Sequence, residues 1–481
     1  MRQGSFTLSL VLSLFALCCC IVPSHVEALD LKRHPTVIIE NVPHVQQKPD
    51  FCGEACVASW LQKVGQSVDQ DVVFDASGLD PTLGRGCYTK ELVTAVRNLG
   101  IDPGPVWYRI PATDAETHLQ TSWDHLVADL NEGIASVICM RTNDRSDATE
   151  HFRLLLGYDS NTDEVLYHEP GRPNAAYQRM ARTEMLRLWP LKYRKDEWLL
   201  VRLRLGESRH RVVETTRAFT SADYAQHVMH LKSRLPGDDF TILIETPFVV
   251  IGNEPKEMVE RRAAQTVRWA TKRLKSEYFS QDPNKILDVW LFKDRESYDS
   301  CALRLFGQKP TTPYGYYSPS DGALVMNIAT GGGTLVHEIV HPFVESNFPN
   351  CPAWFNEGLG SLYEQSSSRD GRIVGLTNWR LAGLQRAIEN KQVPSFATLC
   401  STTTHQFYRE DPGTNYAQAR YLCFYLQEKG LLKKYYHDFV AKSDEDPSGY
   451  QTLRETLGVK NMDQFKRDWE AYVMKLRFGS R

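Results

Sequence analysis

His337-Glu338-Ile339-Val340-His341, followed by Trp354-Phe355-Asn356-Glu357-Gly358-Leu359-Gly360, is the stretch on which the reading of this chain turns. Two histidines four apart on a helix project from one face, close enough to share a metal ion. Glu338 sits one step round that helix, where a carboxylate can act as general base toward a water activated by the metal. Two histidines make an incomplete zinc site, because a catalytic site has three protein ligands and one open position. Glu357 supplies the third. Pro352, just before Ala353-Trp354-Phe355, is a helix-opening signal, so Glu357 is expected on a second helix packed back against the first. The ordinary alternative is a chance HExxH on an amphipathic helix, and the downstream carboxylate argues against it.

These residues resemble the glutamate-ligand zinc metallopeptidases, the gluzincins. The WFNEGLG segment is similar to the bacterial branch whose second motif reads Pro-x-Trp-Leu-x-Glu-Gly-Leu-Ala. Here 15 residues separate His341 from Glu357, fewer than in thermolysin-like members. The resemblance implies that His337, His341 and Glu357 bind Zn2+ and that Glu338 activates the water. It also implies that the strand before the HExxH helix, Ala323–Ile328, is an edge receiving extended substrate.

A second constellation lies in the first half. Gln46-Gln47-Lys48-Pro49-Asp50-Phe51-Cys52-Gly53-Glu54-Ala55-Cys56 leads into the apolar segment Val57-Ala58-Ser59-Trp60-Leu61. That layout places Cys52 at a helix start, where the helix dipole lowers a thiol pKa. Gln46, six residues upstream, can offer its amide where an oxyanion forms. Glu150–Tyr158 reads as a strand opening on His151, followed by a turn at Ser160–Asp163 and a strand ending at Glu169-Pro170. The hairpin brings His151 toward Glu169, which can orient its imidazole for a cysteine–histidine pair. The alternatives for Cys52 are a buried small hydrophobe or a strained disulfide to Cys56.

The region from about 36 to 205 resembles C39-type papain-like cysteine peptidases, with Gln-x5-Cys-Gly-x-Ala at the nucleophile, His-Phe-x-x-x-x-Gly-Tyr at the base and Asp-Pro at the orienting residue. Trp123–Gly133 is similar to that family's helix. Two departures stand out: Glu169 in place of Asp, and Glu54 in place of a common Pro, which sets a negative charge beside the thiolate.

Around these sites, 481 residues with 42% hydrophobic content suffice for two or more cores. A net charge of −3 carries no nucleic-acid or anionic-membrane footprint. Residues 1–28 read as a signal peptide: Arg2, an apolar run Phe6–Val22, and Val26-Glu27-Ala28 before the cleavage point. A secreted, periplasmic or cell-envelope location follows, and a lipid anchor at Cys18–Cys20 is disfavoured by the residues preceding each cysteine. No other stretch is long and apolar enough for a membrane span, and the eight remaining cysteines show neither CxxC spacing nor a disulfide framework.

The expected architecture is α+β in two domains. Residues 31–205 form a C39-like papain-fold domain, 206–237 a linker with a helix capped at Thr220, and 238–481 a gluzincin-like domain with a helical C-terminal lobe. Strands are expected at Thr241–Glu245, Phe248–Ile251 and Ile286–Phe292. A helix spans Lys256–Tyr278, and a hairpin turns at Ser320-Asp321-Gly322. Gly331-Gly332-Gly333 is a loop rather than a phosphate cradle. Tyr416 reads as a core tyrosine, with a hydrogen bond to the oxyanion as its alternative role. The functional expectation is an exported peptidase acting on a peptide or protein substrate with zinc, carrying a second cysteine-peptidase domain. Its alternative is a peptide-binding protein in which one or both sites are inactive; oligomeric state is left open.

Overall fold

The computed structural model describes residues 34–208, 219–410 and 412–479. The expected signal peptide lies outside the described residues, as does the central part of the expected linker, 209–218.

The N-terminal half is built on a seven-stranded sheet, all of whose pairings are antiparallel. The strands run in the order Trp107–Pro111, Glu197–Leu205, Ala135–Arg141, Glu150–Asp159, Glu164–His168 and Gln178–Ala181, and Val37–Ile38 adds onto Glu150–Asp159. The central strands are buried along nearly their whole length because helices cover both faces. Cys52–Lys63 packs on one face, against Val137, Leu154 and Leu203, while Ala115–Asn131 packs on the other, against Ile138 and Leu155. The expected strand–turn–strand from Glu150 to His168 is present, paired through Tyr158↔Val165 and Leu154↔His168.

The second sheet has five strands in the order Gly315–Ser318, Ala323–Asn327, Leu287–Phe292, Phe248–Gly252 and Thr241–Glu245, with the three central strands parallel. Apolar residues occupy consecutive positions in them because both faces are covered. Leu287, Val289, Leu291, Leu324 and Met326 face the core containing the HExxH helix; Trp290, Phe292, Ala323 and Val325 face the opposite layer. The expected helix after these first strands runs from Lys256 to Glu277, with a π-type stretch at Ala263–Arg268. From Arg380 the described chain is helical, including Pro412–Glu428 and Met462–Lys475.

One assignment changes. Ala323–Asn327 is an interior strand, bonded on both sides, and the edge is its hairpin partner Gly315–Ser318. A hairpin adds two strands to a sheet at once, and sequence alone does not say which one ends on the outside.

The helix Ser221–Lys232 is closed at its start by a Thr220–Asp223 capping box. Ala222 and Ala225 enter the N-terminal core, whereas Tyr224, Val228 and Leu231 pack against the second sheet. From this helix Gln226 donates to the Pro49 carbonyl at 2.9 Å, in the loop leading to Cys52, and His227 meets Asp288 at 2.7 Å.

Candidate functional sites

The HExxH segment lies within the helix Gly333–Asn347, and Glu357 on the helix Ala353–Tyr363, opened at Pro352 as the sequence indicates. The two helices pack closely because Gly360 carries no side chain: a Cβ there would stand 3.1 Å from the His337 ring. Glu357 Oε2 lies 3.1 Å from His337 Nε2 and 4.0 Å from His341 Nε2. Ligand atoms of His337, Glu338 and His341 fall within 4.8 Å of one another.

The far side of each ring is held as well. His341 Nδ1 donates to Asn356 Oδ1 at 2.9 Å, and His337 Nδ1 stands 3.3 Å from Glu364 Oε1. Glu364 is in turn gripped by Arg380 at 2.8 Å and by Asn378 at 3.1 Å. Fixing the Nδ1 side turns each Nε2 lone pair toward one shared point, as in carboxylate–histidine–metal arrangements. Burial works to raise the Glu357 pKa, but the two imidazoles and the Tyr408 hydroxyl, bonded to Oε1 at 2.5 Å, hold it at about 2. Burial acts the same way on Glu364, where His337 and Arg380 prevail and leave it at about 2. Two imidazole nitrogens and one ionised carboxylate, buried and converging, fit a borderline cation such as Zn2+.

Glu338 accepts a hydrogen bond from the Tyr317 backbone N–H, which points outward from the edge strand, at 3.1 Å. Cavities open on either side of it. One of roughly 1070 Å³ reaches His337 and Glu338 past Trp269, Trp379 and Gly331-Gly332, the expected glycine loop, whose third residue Gly333 instead opens the helix. The other, roughly 390 Å³, reaches His341 and Glu357 past Tyr316, Tyr317 and Phe348. Tyr416 borders the larger cavity, half-buried, with the Arg380 guanidinium 5.1 Å from its ring centre.

In the N-terminal half Cys52 is the first residue of its helix and half-buried. Its sulfur takes a hydrogen bond from the backbone N–H of Phe152, one residue beyond His151. His151 Nε2 is bonded to Glu169 Oε1, as the hairpin reading requires. Glu169 is buried, with Arg153 Nε donating to Oε2 at 2.8 Å and the Gly171 N–H to Oε1 at 3.1 Å. Burial works to raise Glu169, but His151 and Arg153 outweigh it and leave the carboxyl at about 2.

Two expectations for this site change. The thiol is not lowered by its place at the helix start. Burial, with the Glu54 and Asp50 charges adding, pushes it up to about 11 against the Phe152 and Gly53 N–H groups. Glu54 is itself fully buried and raised by burial to about 7; one oxygen accepts from the Cys87 N–H at 2.7 Å and the other has no hydrogen-bond partner among the described residues. The second concerns Gln46, which is exposed and contributes its backbone carbonyl to Gln70. Its neighbour Gln47 has a buried side-chain oxygen near the His151 ring and Glu169: all three atoms lie within 3.6 Å of the point a Gly171 Cβ would occupy. None of the eight cysteines among the described residues is in a disulfide.

Sequence reasoning did not single out Arg153, Glu364, Asn356 or Tyr408. Signals existed for two of them. Arg153 alternates with His151 on one strand, and Glu364 follows Glu357 by seven residues, two helical turns on. Tyr408 comes from a separate short helix, Thr404–Arg409, and nothing local marks it.

Residues 39–195 match the model of the Peptidase C39 like family, so the N-terminal half is similar to that family. The chain is also similar to the peptidase domain of Streptococcus ComA, a bi-functional ABC transporter involved in a quorum sensing pathway. That likeness has 16% identity and a TM-score of 0.23, covering 34% of this chain and 100% of that one. No curated protein matches the chain.

Proposed function

We propose that the protein is an exported two-domain peptidase whose C-terminal half hydrolyses peptide bonds as a gluzincin-like zinc enzyme. The observation that carries this reading is the convergence of His337, His341 and Glu357, with His341 Nδ1 bonded to Asn356 and the Glu364 carboxylate 3.3 Å from His337 Nδ1. These three residues would hold Zn2+, which when bound supplies Lewis-acid polarisation of a peptide carbonyl. Glu338 Oε is placed to take a proton from the attacking water and deliver it to the leaving amine. The Tyr317 N–H fixes that carboxylate against the edge strand, where an extended peptide can lie. The apolar run at Phe6–Val22 supports export.

In the C39-like domain Cys52 would be the nucleophile, His151 the base and Glu169 the orienting group. A second reading for this domain alone, that it holds peptide without cutting it, is favoured by the thiol's pKa of about 11.

The test is metal analysis with a paired variant. Purified protein should carry about one equivalent of zinc after zinc-supplemented expression. Glu338→Gln should keep that zinc and lose hydrolysis of a broad peptide mixture by about a hundredfold or more. Zinc below half an equivalent, or activity that survives in the variant, defeats the proposal.

A further inference from the structure

The smaller cavity, roughly 390 Å³, has a distinctive chemistry at its outer end. Its walls include the aromatic and apolar groups Tyr316, Tyr317, Pro319, Val344 and Phe348. Lysine and arginine are absent from its lining, and Glu345 is its outer carboxylate. Glu345 follows His341 by one turn on the same helix face, about 6 Å farther along the axis. Among the described residues its side chain forms no ion pair, and its one hydrogen bond comes from the Tyr317 hydroxyl at 2.9 Å. Glu357 in the same cavity meets the two histidines and Tyr408, and Glu338 meets the Tyr317 N–H and lies 3.7 Å from His341 Nε2. Glu345 is therefore the exposed carboxylate of this cavity, and among the described residues it has no imidazole or other cation beside it.

We infer that this cavity is a subsite for an alkyl-borne cation: a lysine or arginine side chain of the substrate, its stem along Tyr317 and Phe348, its charge at Glu345. The inference rests on the reading of the cleft as a peptidase site. Distance favours a side chain beside the scissile bond. A lysine or arginine stem spans about the 6 Å from the His341 level to Glu345, and a planar guanidinium can also lie over a tyrosine face. A free N-terminal ammonium offers the same charge without a stem.

Binding tests this separately from hydrolysis. Fluorescent hexapeptides with arginine, lysine, norleucine or glutamate at one central position, N-acetylated, are titrated into the full chain, and a free-amine norleucine peptide forms a further arm. Arginine and lysine peptides should bind about threefold to fivefold tighter than norleucine, the range for a solvent-reachable ion pair. Glu345→Gln should erase that difference, and Glu345→Lys should reverse it in favour of glutamate. Equal binding of arginine and norleucine peptides, or a preference that persists in Glu345→Gln, overturns the inference. So does a cation preference shown only by the free-amine peptide. Selective arginine binding without hydrolysis at full zinc loading upholds the subsite and defeats the peptidase reading instead.

Discussion

At Cys52 burial pushes the thiol pKa upward, and the charges that act on the sulfur, the carboxylates of Glu54 and Asp50, add to that rise. At Glu357 and Glu364 burial is just as deep, yet imidazoles, a guanidinium and a phenol hold both carboxylates down at about 2. The first arrangement keeps a nucleophile protonated at rest, leaving about a hundredfold less thiolate than an ordinary cysteine at neutral pH. The second keeps donor atoms ionised and aimed, which a cation requires. Burial raises all three groups; neighbouring charges add to that rise at Cys52 and overcome it at Glu357 and Glu364.

The largest effect that would break this contrast lies at Arg153, the guanidinium bonded to the cysteine site's orienting carboxylate. Arg153→Met removes a partner from a buried pair and leaves Glu169 with His151 and the Gly171 N–H alone. Urea denaturation at pH 7 should show a loss of about 3 kcal/mol. The pH dependence has a definite sign. Glu169 is depressed to about 2 in the folded state, so its stabilisation is present above the ordinary carboxylate range and is lost as pH falls toward 2. In the variant that loss should begin at higher pH. A change under 1 kcal/mol with an unmoved acid limb would mean that His151 suffices.

The middle effect sharpens the other side. Glu364→Gln keeps the shape at His337 Nδ1 but removes the charge, and should weaken zinc affinity about 10- to 100-fold in competition with a chelator. An unchanged affinity would reduce Glu364 to a structural partner of Arg380.

What could be read from the sequence follows from periodicity. The HExxH helix, the Pro352 start and the His151 hairpin are local patterns with a fixed period, and each stands where the pattern puts it. The placement of Gln46 had no such guide, because the loop before Cys52 is irregular and no repeat sets which side chain turns inward. The edge strand depended on strand order, a long-range property. The thiol's pKa depended on how deeply the helix start is buried, and a helix dipole at the surface points the other way. Gly358 and Gly360 were visible as part of a motif, but their reason is packing: a Cβ at 358 would sit 3.1 Å from the Ala419 carbonyl and the Cys423 sulfur.

The smallest expected effect is the most direct test of the contrast, because it alters one charge beside Cys52. Glu54→Gln retains an oxygen to accept from the Cys87 N–H and removes the negative charge. The Cys52 pKa should fall, and iodoacetamide labelling at pH 8 should quicken about threefold to tenfold. Glu54 is raised to about 7, so in the wild type it is neutral below that value and charged above it. Wild-type labelling should therefore rise less steeply with pH across 7 than thiolate formation alone requires, whereas the variant should follow a single steeper line. Stability should respond through the same group. A carboxyl whose folded pKa is raised contributes stability below its ordinary value near 4.5 and loses it as pH rises through about 7. The wild type should weaken over that window and the variant should not. If labelling is unchanged at pH 8 and both profiles coincide, burial alone sets the thiol and the neighbouring carboxylate is silent.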